Sequence, residues 1–370
     1  MFGENALEKF VEDFIHTGHQ RLFILSIPAV IASIKPALNA LLEKGIALAI
    51  NDTILAEPSF ADFENILGEA KAHKADAVLG IGGGSVLDTA KLVAAQIHNT
   101  QTTNEIKGIG NLKERKTYMV CVPTTAGTGS EMSPNALFID ETGNKIGVIS
   151  PFLVPDATYI DPELTLSVPP SVTAATGMDA LAHCLEAYAN NFAHPVIDLI
   201  ALEGIRLISA NLEAACIDGN NKEARANVAL GSMYGGMCLG PVNTAAVHAL
   251  AYPLGVAFHV SHGLSVALLL PHVMQFNLHA APCRYSNIAK ALGASEEGDE
   301  TATALEGIKR IKSLMKACGM PASLNDLNIP VDAISSMATD ALKVQRLLKN
   351  NLKTIGQADA ESIYRAAFQA

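Results

Sequence analysis

Four short apolar runs set the terms for the first half of the chain: RLFILSI (21–27), GIALAI (45–50), DAVLGIGGG (76–84) and YMVCVP (118–123). Unbroken apolarity predicts strands buried on both faces. Between them lie stretches with helical patterning, such as SFADFENILGEAKAHK (59–74). Strands alternating with helices build βαβ units and a parallel sheet. NALFIDETGNKIGVIS (135–150) departs from this, with two strand-like runs flanking Thr142-Gly143-Asn144, which predicts a hairpin. From about Ser171 the strand signals stop, and Ala- and Leu-rich sequence with helical periodicity takes over. The expected organisation is an α/β domain over 1–165 and an all-helical domain over 166–370. EEGDET (296–301) is expected to be a solvated loop.

Composition removes several function classes. Hydrophobic residues make up 49% of 370, enough for sizeable cores, and the net charge of −11 has no basic block to offset it. Neither nucleic acid nor an anionic membrane surface is an expected partner. The segment MFGENALEKFVEDF is charged early, and apolar runs such as VALLLP fall far short of a membrane span. The six cysteines show no C-x-x-C spacing, so disulfides and thiolate zinc sites are not expected and a reducing cytoplasm fits.

Two loops carry a nucleotide signal. VLGIGGGSVLDTAK (78–91) reads as a strand, a glycine cluster and a helix opening at Ser85. Glycines there let the backbone approach an anion, and the N–H groups of the helix start then face it. The motif is neither G-x-G-x-x-G nor a Walker loop, and a plain tight turn also needs glycine. PTTAGTGSE (123–131) follows the next predicted strand and offers hydroxyls from Thr124, Thr125, Thr128 and Ser130. In a parallel sheet both loops lie at carboxyl ends of strands, where ligands bind.

A metal signal sits in the second half. Asp179 and His183 in ATGMDALAHCLEAY (175–188) are i and i+4, on one helix face. Alone, the pair reads more readily as a His–Asp hydrogen bond on a helix surface. VHALAYPLGVAFHVSHG (247–263) adds His248 and His262 across an expected helix break at Pro253-Leu254-Gly255. One Asp and three His suit Fe2+ or Zn2+, leaving a position for a substrate oxygen. His259 is a further candidate for the site. Glu186, at i+7 from Asp179, either orients a ligand or makes an ordinary structural pair. The other histidines, His272 among them, read as structural or surface residues.

GIGGGSVLDTAK, PTTAGTGSE, DATYIDPELTLSVPP, TGMDALAHCLEAY, HALAYPLG…SHG and the C-terminal LLKNNLKTIGQADAESIYRAA occur in the order found in the iron-containing (group III) alcohol dehydrogenases, which the whole chain resembles. The resemblance implies a Rossmann-like N-terminal domain binding NAD(H) or NADP(H), and an all-α C-terminal domain holding Fe2+ or Zn2+, the architecture shared with dehydroquinate synthase. Matched motif to motif, the metal ligands are Asp179, His183, His248 and His262. Gly82, Gly83, Gly84 and Ser85 hold the pyrophosphate, Thr124 and Thr125 lie near the nucleotide, and Asp88, Thr128 and Lys145 sit in matching stretches. A homodimer is expected.

Two places depart from the family pattern. The first strand commonly ends there in Thr-Asp, where this chain has Ser26 and Ile27; a carboxylate repels a 2′-phosphate. Its absence predicts weak coenzyme discrimination, with Ser26 available as a donor. The second departure is Tyr252, standing where many members keep a histidine. Pro253 predicts a helix end there, with Tyr252 lining the substrate pocket or, alternatively, relaying protons.

The implied activity is hydride transfer between nicotinamide and a metal-bound alcohol of a small polar substrate: a short-chain alcohol, a 1,2-diol or lactaldehyde, a hydroxy acid or a sugar acid. The alternative is a dehydroquinate synthase-like lyase, whose metal set uses Glu and two His. A metal-dependent hydrolase would leave the glycine loops unexplained, and a non-catalytic nucleotide-binding protein would leave the metal residues so.

Overall fold

A computed structural model describes residues 1–54, 58–139, 145–296 and 298–369, without the side chain of Lys145. The chain divides into two compact units, Met1–Thr125 with Gly129–Thr165, and Ala126–Thr128 with Leu166–Ala370.

The first unit contains α1 (Ala6–Ile15), β1 (Arg21–Leu25), α2 (Pro28–Ser33), α3 (Lys35–Glu43), β2 (Ala47–Asn51), α4 (Phe60–Ala72), β3 (Ala77–Gly82), α5 (Gly84–Gln96), α6 (Thr103–Ile106), β4 (Gly108–Ile109), β5 (Tyr118–Pro123), β6 (Asn135–Ile139), β7 (Lys145–Ile149) and β8 (Ala157–Thr158). Its main sheet is parallel, in the order β2-β1-β3-β5-β8. Successive residues of each strand serve opposite faces. Leu22, Ile24, Leu79, Ile81, Val120 and Val122 pack with Phe10, Phe14, Leu38 and Leu41 of α1 and α3. Phe23, Leu25, Val78, Met119 and Cys121 pack with Phe63, Leu67 and Leu87 of α4 and α5. Burial on both faces is why β1, β3 and β5 read as continuous apolar runs. β2, expected to be buried as well, is the edge strand instead, and its apolar residues are half-buried to exposed, with Ile50 42% exposed.

The chain leaves β1 for β2 on one side and returns to β3 on the other, so the order reverses between β1 and β3. Ligands bind beyond the carboxyl ends of strands at such a reversal, and Ser26-Ile27 and Gly82–Ser85 flank this one. The expected hairpin is present: β6 and β7 pair antiparallel and, with β4, form a second sheet. Its Thr142-Gly143-Asn144 turn lies outside the described residues.

The second unit is helical: α7 (Pro170–Tyr188), α8 (Pro195–Ile217), α9 (Lys222–Leu239), α10 (Ala246–Phe258), α11 (His262–Asn277), α12 (Pro282–Ala291), α13 (Glu300–Ala317), α14 (Ile334–Ala341), α15 (Gln345–Leu348) and α16 (Gln357–Ala367). Two expectations need correction here. The 296–301 stretch is not all loop, because the Asp299 carboxylate caps α13 through the Ala302 N–H and Glu300 is already helical. Nor does the helix break at Pro253: α10 runs on to Phe258, and the reversal comes at His259, in the left-handed region at φ 54°. Among the described residues no helix is long and apolar enough to cross a membrane.

Candidate metal centre

Three helices supply the charged cluster of the second unit. On α7, Asp179, His183 and Glu186 occupy i, i+4 and i+7, so all three project from one face, and all three are buried. α10 contributes buried His248 near its start. The three residues 259–261 then turn the chain so that His262 opens α11. A Cβ on Gly263 would lie 2.1 Å from the Ala175 carbonyl oxygen, so only glycine lets α11 begin against the α7 backbone. That approach brings His262 Nε2 to 3.5 Å from Asp179 Oδ1.

His248 Nε2 lies 3.3 Å and His183 Nε2 3.7 Å from the same oxygen. Asp179, His248 and His262 bring ligand atoms within 4.8 Å of one another; His183 borders this group, its ring stacked on His248 at 4.8 Å between centroids. Asp179 Oδ1 and His248 Nε2 are buried without a hydrogen-bond partner of acceptable geometry. Unpaired buried polar atoms are costly and rare. Ligands at about 2.1 Å from one tetrahedral ion stand about 3.4 Å apart, which matches the spacings around Oδ1. An oxygen and three imidazole nitrogens form a donor set for a divalent first-row metal, so these residues fit the ion.

Glu186 fixes the orientation of His248. Its Oε2 is 2.5 Å from His248 Nδ1, and its Oε1 accepts the Val247 N–H at 2.6 Å. A carboxylate only accepts, so Nδ1 carries the hydrogen and Nε2 faces Asp179. Burial works against charge on His248, yet Glu186 and Asp179 outweigh it and push its pKa up to about 10. Burial would also raise the Asp179 carboxyl, but His183, His262 and His248 hold it well below the usual range. His183, whose burial dominates, is lowered to about 4.

In the first unit, Gly83 stands before α5 in extended backbone and gives the helix no side-chain cap. The first-turn N–H groups of Gly84 and Ser85 thus open the helix uncapped, as an anion site requires. A Cβ on Gly82 would meet Val86 at 2.8 Å, so close packing as well as access selects glycine here. The Thr124 N–H donates to the Gly82 carbonyl, and the Thr125 side chain lies beside Gly83, which ties the second loop to the first. Residues 173–368 match the family model described as Fe-containing alcohol dehydrogenase family, C-terminal, and residues 1–162 match Iron-containing alcohol dehydrogenase.

The chain belongs to the iron-containing alcohol dehydrogenases.

It is 35% identical to Long-chain-alcohol dehydrogenase 1 of Geobacillus thermodenitrificans (strain NG80-2), over 99% of this chain and 94% of that protein. It is 30% identical to the sulfoacetaldehyde reductase of Bilophila wadsworthia (strain 3_1_6), over 100% and 97%. The crystal structure of a 1,3-propanediol oxidoreductase superposes with a TM-score of 0.95 at 32% identity, covering 99% of this chain and 97% of that one.

Other expected site residues of this family member fall as follows. Asp88 is largely buried; its carboxylate accepts from Ser130 Oγ and from the Leu137 N–H at 2.8 Å. Thr128 belongs to the helical unit, and the Lys145 side chain lies outside the described residues. His259 is exposed, and its backbone makes the turn between α10 and α11. Ser26 is a correction: fully buried, its hydroxyl donates to the Ile81 carbonyl at 2.7 Å, so it is no donor for a 2′-phosphate. Tyr252 is not at a helix end; one turn beyond His248, its ring lies 6.0 Å from that of His262. Its hydroxyl accepts from Arg346 Nη2 at 2.9 Å, a residue 94 positions away that no local pattern marks. Gly263 was part of the matched SHG stretch, but nothing in the sequence marked its close approach to Ala175.

Proposed function

We propose that this iron-containing alcohol dehydrogenase is NAD(P)-linked and interconverts a small polar alcohol with its aldehyde or ketone. The observation that carries this reading is the convergence of His183, His248 and His262 on the unpaired Oδ1 of Asp179. Asp179, His183, His248 and His262 would hold the divalent ion, Fe2+ or Zn2+. When bound, that ion supplies Lewis acidity toward an alcohol or carbonyl oxygen, and the nicotinamide supplies or takes the hydride.

The chain's own groups do the rest. Glu186 keeps a hydrogen on His248 Nδ1, leaving the Nε2 lone pair for the ion. The three imidazoles keep Asp179 ionised. His262, with 29% of its side chain exposed against 4% for Asp179, marks the side from which substrate arrives. Tyr252 beside it has its O–H free to donate toward a substrate oxygen, because Arg346 approaches the oxygen rather than the hydrogen. The uncapped start of α5 and the Thr124-Thr125 loop bind the coenzyme pyrophosphate. The relatives are named for substrates as different as long-chain alcohols and sulfoacetaldehyde; here the Tyr252 hydroxyl beside His262, with Arg346 on it, supports a small polar substrate.

The test is a panel of diols, hydroxy acids and simple alcohols with both coenzymes, alongside metal analysis of anaerobically purified protein. One equivalent of iron or zinc and stoichiometric nicotinamide reduction are expected. Substitution of His262→Ala should strip metal and activity while leaving the circular dichroism spectrum unchanged. Full metal occupancy in that variant would refute the ligand assignment.

A further inference from the structure

Eight arginines occur in the chain, and seven are satisfied by carboxylates or backbone carbonyls. Arg115, Arg206, Arg284 and Arg365 pair with Asp156, Glu203, Asp198 and Glu361. Arg21, Arg225 and Arg310 donate to backbone carbonyls. Arg346 differs. Half-buried, its one hydrogen-bond partner among the described residues is the neutral hydroxyl of Tyr252, and no described carboxylate lies within 4 Å of it. A guanidinium stays charged at any working pH and carries five N–H donors. Partial burial of that charge without a counter-anion is costly.

The surroundings fix where this charge points. Leu347 and Leu348, next in α15, are buried in the helical core. Asn350 donates to the Thr244 carbonyl at 2.7 Å, and Asn351 exchanges hydrogen bonds with Asn277 at 2.6 and 2.9 Å. The segment carrying Arg346 is therefore pinned against α10 and α11. Its Cζ is 5.9 Å from the Tyr252 ring, which is 6.0 Å from the His262 ring. The guanidinium thus stands no further from His262 than those two spacings end to end. Contacts of about 2 Å from the ion to an alcohol oxygen and about 3 Å from the guanidinium to an acid oxygen take up part of that span, so only a short carbon chain fits between them.

We infer that Arg346 anchors an acidic group at the far end of the substrate, so that this enzyme works on short ω-hydroxy acids and the matching oxo acids, carboxylates or sulfonates. This rests on the function proposed above. The oxygen to be oxidised goes to the ion held by Asp179 and the histidines, and the acid goes to the free N–H groups of Arg346. Tyr252 lies between them and keeps the guanidinium in place. Planar two-point recognition of a carboxylate is what arginine does better than lysine.

The experiment compares 3-hydroxypropanoate and isethionate (2-hydroxyethanesulfonate) with neutral 1,3-propanediol, in wild type, Arg346→Met and Arg346→Lys. Wild type should prefer at least one acid by about tenfold or more in kcat/KM. Arg346→Met should lose about 100-fold on that acid, mostly through KM, with the diol changed less than about threefold. Arg346→Lys should recover part of the loss. The acid that responds tells carboxylate from sulfonate recognition. Calorimetry on metal-free protein should show acid binding that Arg346→Met lacks; absent or equal binding counts against the anchor. Parallel losses on acid and diol would overturn it, as expected if Arg346 only props Tyr252. Turnover of the diol with no preference for either acid also overturns the anchor but leaves the dehydrogenase reading intact. Failure of every alcohol with both coenzymes overturns that reading instead.

Discussion

Glu186 and Ile27 each act through what a single side chain carries. Both carboxylate oxygens of Glu186 are engaged at the start of α10, one by His248 Nδ1 and one by the Val247 N–H. Glu186→Gln preserves shape but presents an amide that donates as well as accepts, so the His248 tautomer is no longer fixed. Second-layer partners of metal-bound histidines are worth about 10- to 100-fold in affinity. A loss of that size is expected for iron or zinc, read by competition with a chelator; unchanged affinity would make Glu186 a purely structural pair. Ile27 sits half-buried just past β1, and on the function proposed above its side chain brings no charge against a coenzyme 2′-phosphate. With Ser26 turned inward, the predicted tolerance of NADP(H) rests on that missing charge alone. Ile27→Asp should shift the kcat/KM ratio toward NAD(H). A wild type already favouring NAD(H) by more than about 1,000-fold, or roughly 4 kcal/mol, would contradict it.

At the scale of elements, α5 does more than present its N-terminus. Lys91, fully buried on its far side, donates to the Ser130 and Ser133 carbonyls at 2.8 and 3.1 Å and to that of Asn135, while Asp88 takes Ser130 Oγ and the Leu137 N–H. These contacts bind the segment after the second loop to the helix that follows the first. Within that segment Glu131 is buried, and burial pushes its carboxyl up to about 7 from 4.5. Between those pH values the native state holds a proton that the unfolded chain has released. Stability must therefore fall as pH rises through that window and level off above it. The contribution is at most about 3 kcal/mol. Glu131→Gln should remove this slope, so denaturant unfolding of both proteins at pH 5 and pH 8 should show the variant losing less. Identical slopes would show that Glu131 is already ionised at pH 5.

Over the whole molecule, the four residues proposed to hold the ion belong to one unit and the glycine turn to the other. Ligand binding stabilises what it binds, by about 4 kcal/mol at a thousand times the dissociation constant. Metal removal by chelation is thus expected to reduce amide protection in α7, α10 and α11 while β1, β3 and β5 keep theirs. Hydrogen exchange with and without chelator measures this. Equal loss of protection in the strands, or none in the three helices, would argue against an ion held by these side chains.

What the sequence determined is whatever depends on local period and residue type. Double-sided burial makes β1, β3 and β5 apolar throughout, so the parallel sheet was legible. The glycine turn was legible because only small residues fit against Val86. Asp179 and His183 announced a shared helix face by their spacing. Tertiary structure decided the rest. Glu186 shared that face too, but its partner, His248, lies 62 residues on and only the fold brings it there. Pro253 read as a break, yet α10 continues past it, since one lost backbone hydrogen bond is outweighed by packing on both sides of the kink-prone residue. Ser26 looked available until the packing of β1 against β3 turned it to the Ile81 carbonyl. Arg346 carried no pattern at all. Its meaning comes from standing beside Tyr252, a contact between residues 94 apart that only the folded chain creates.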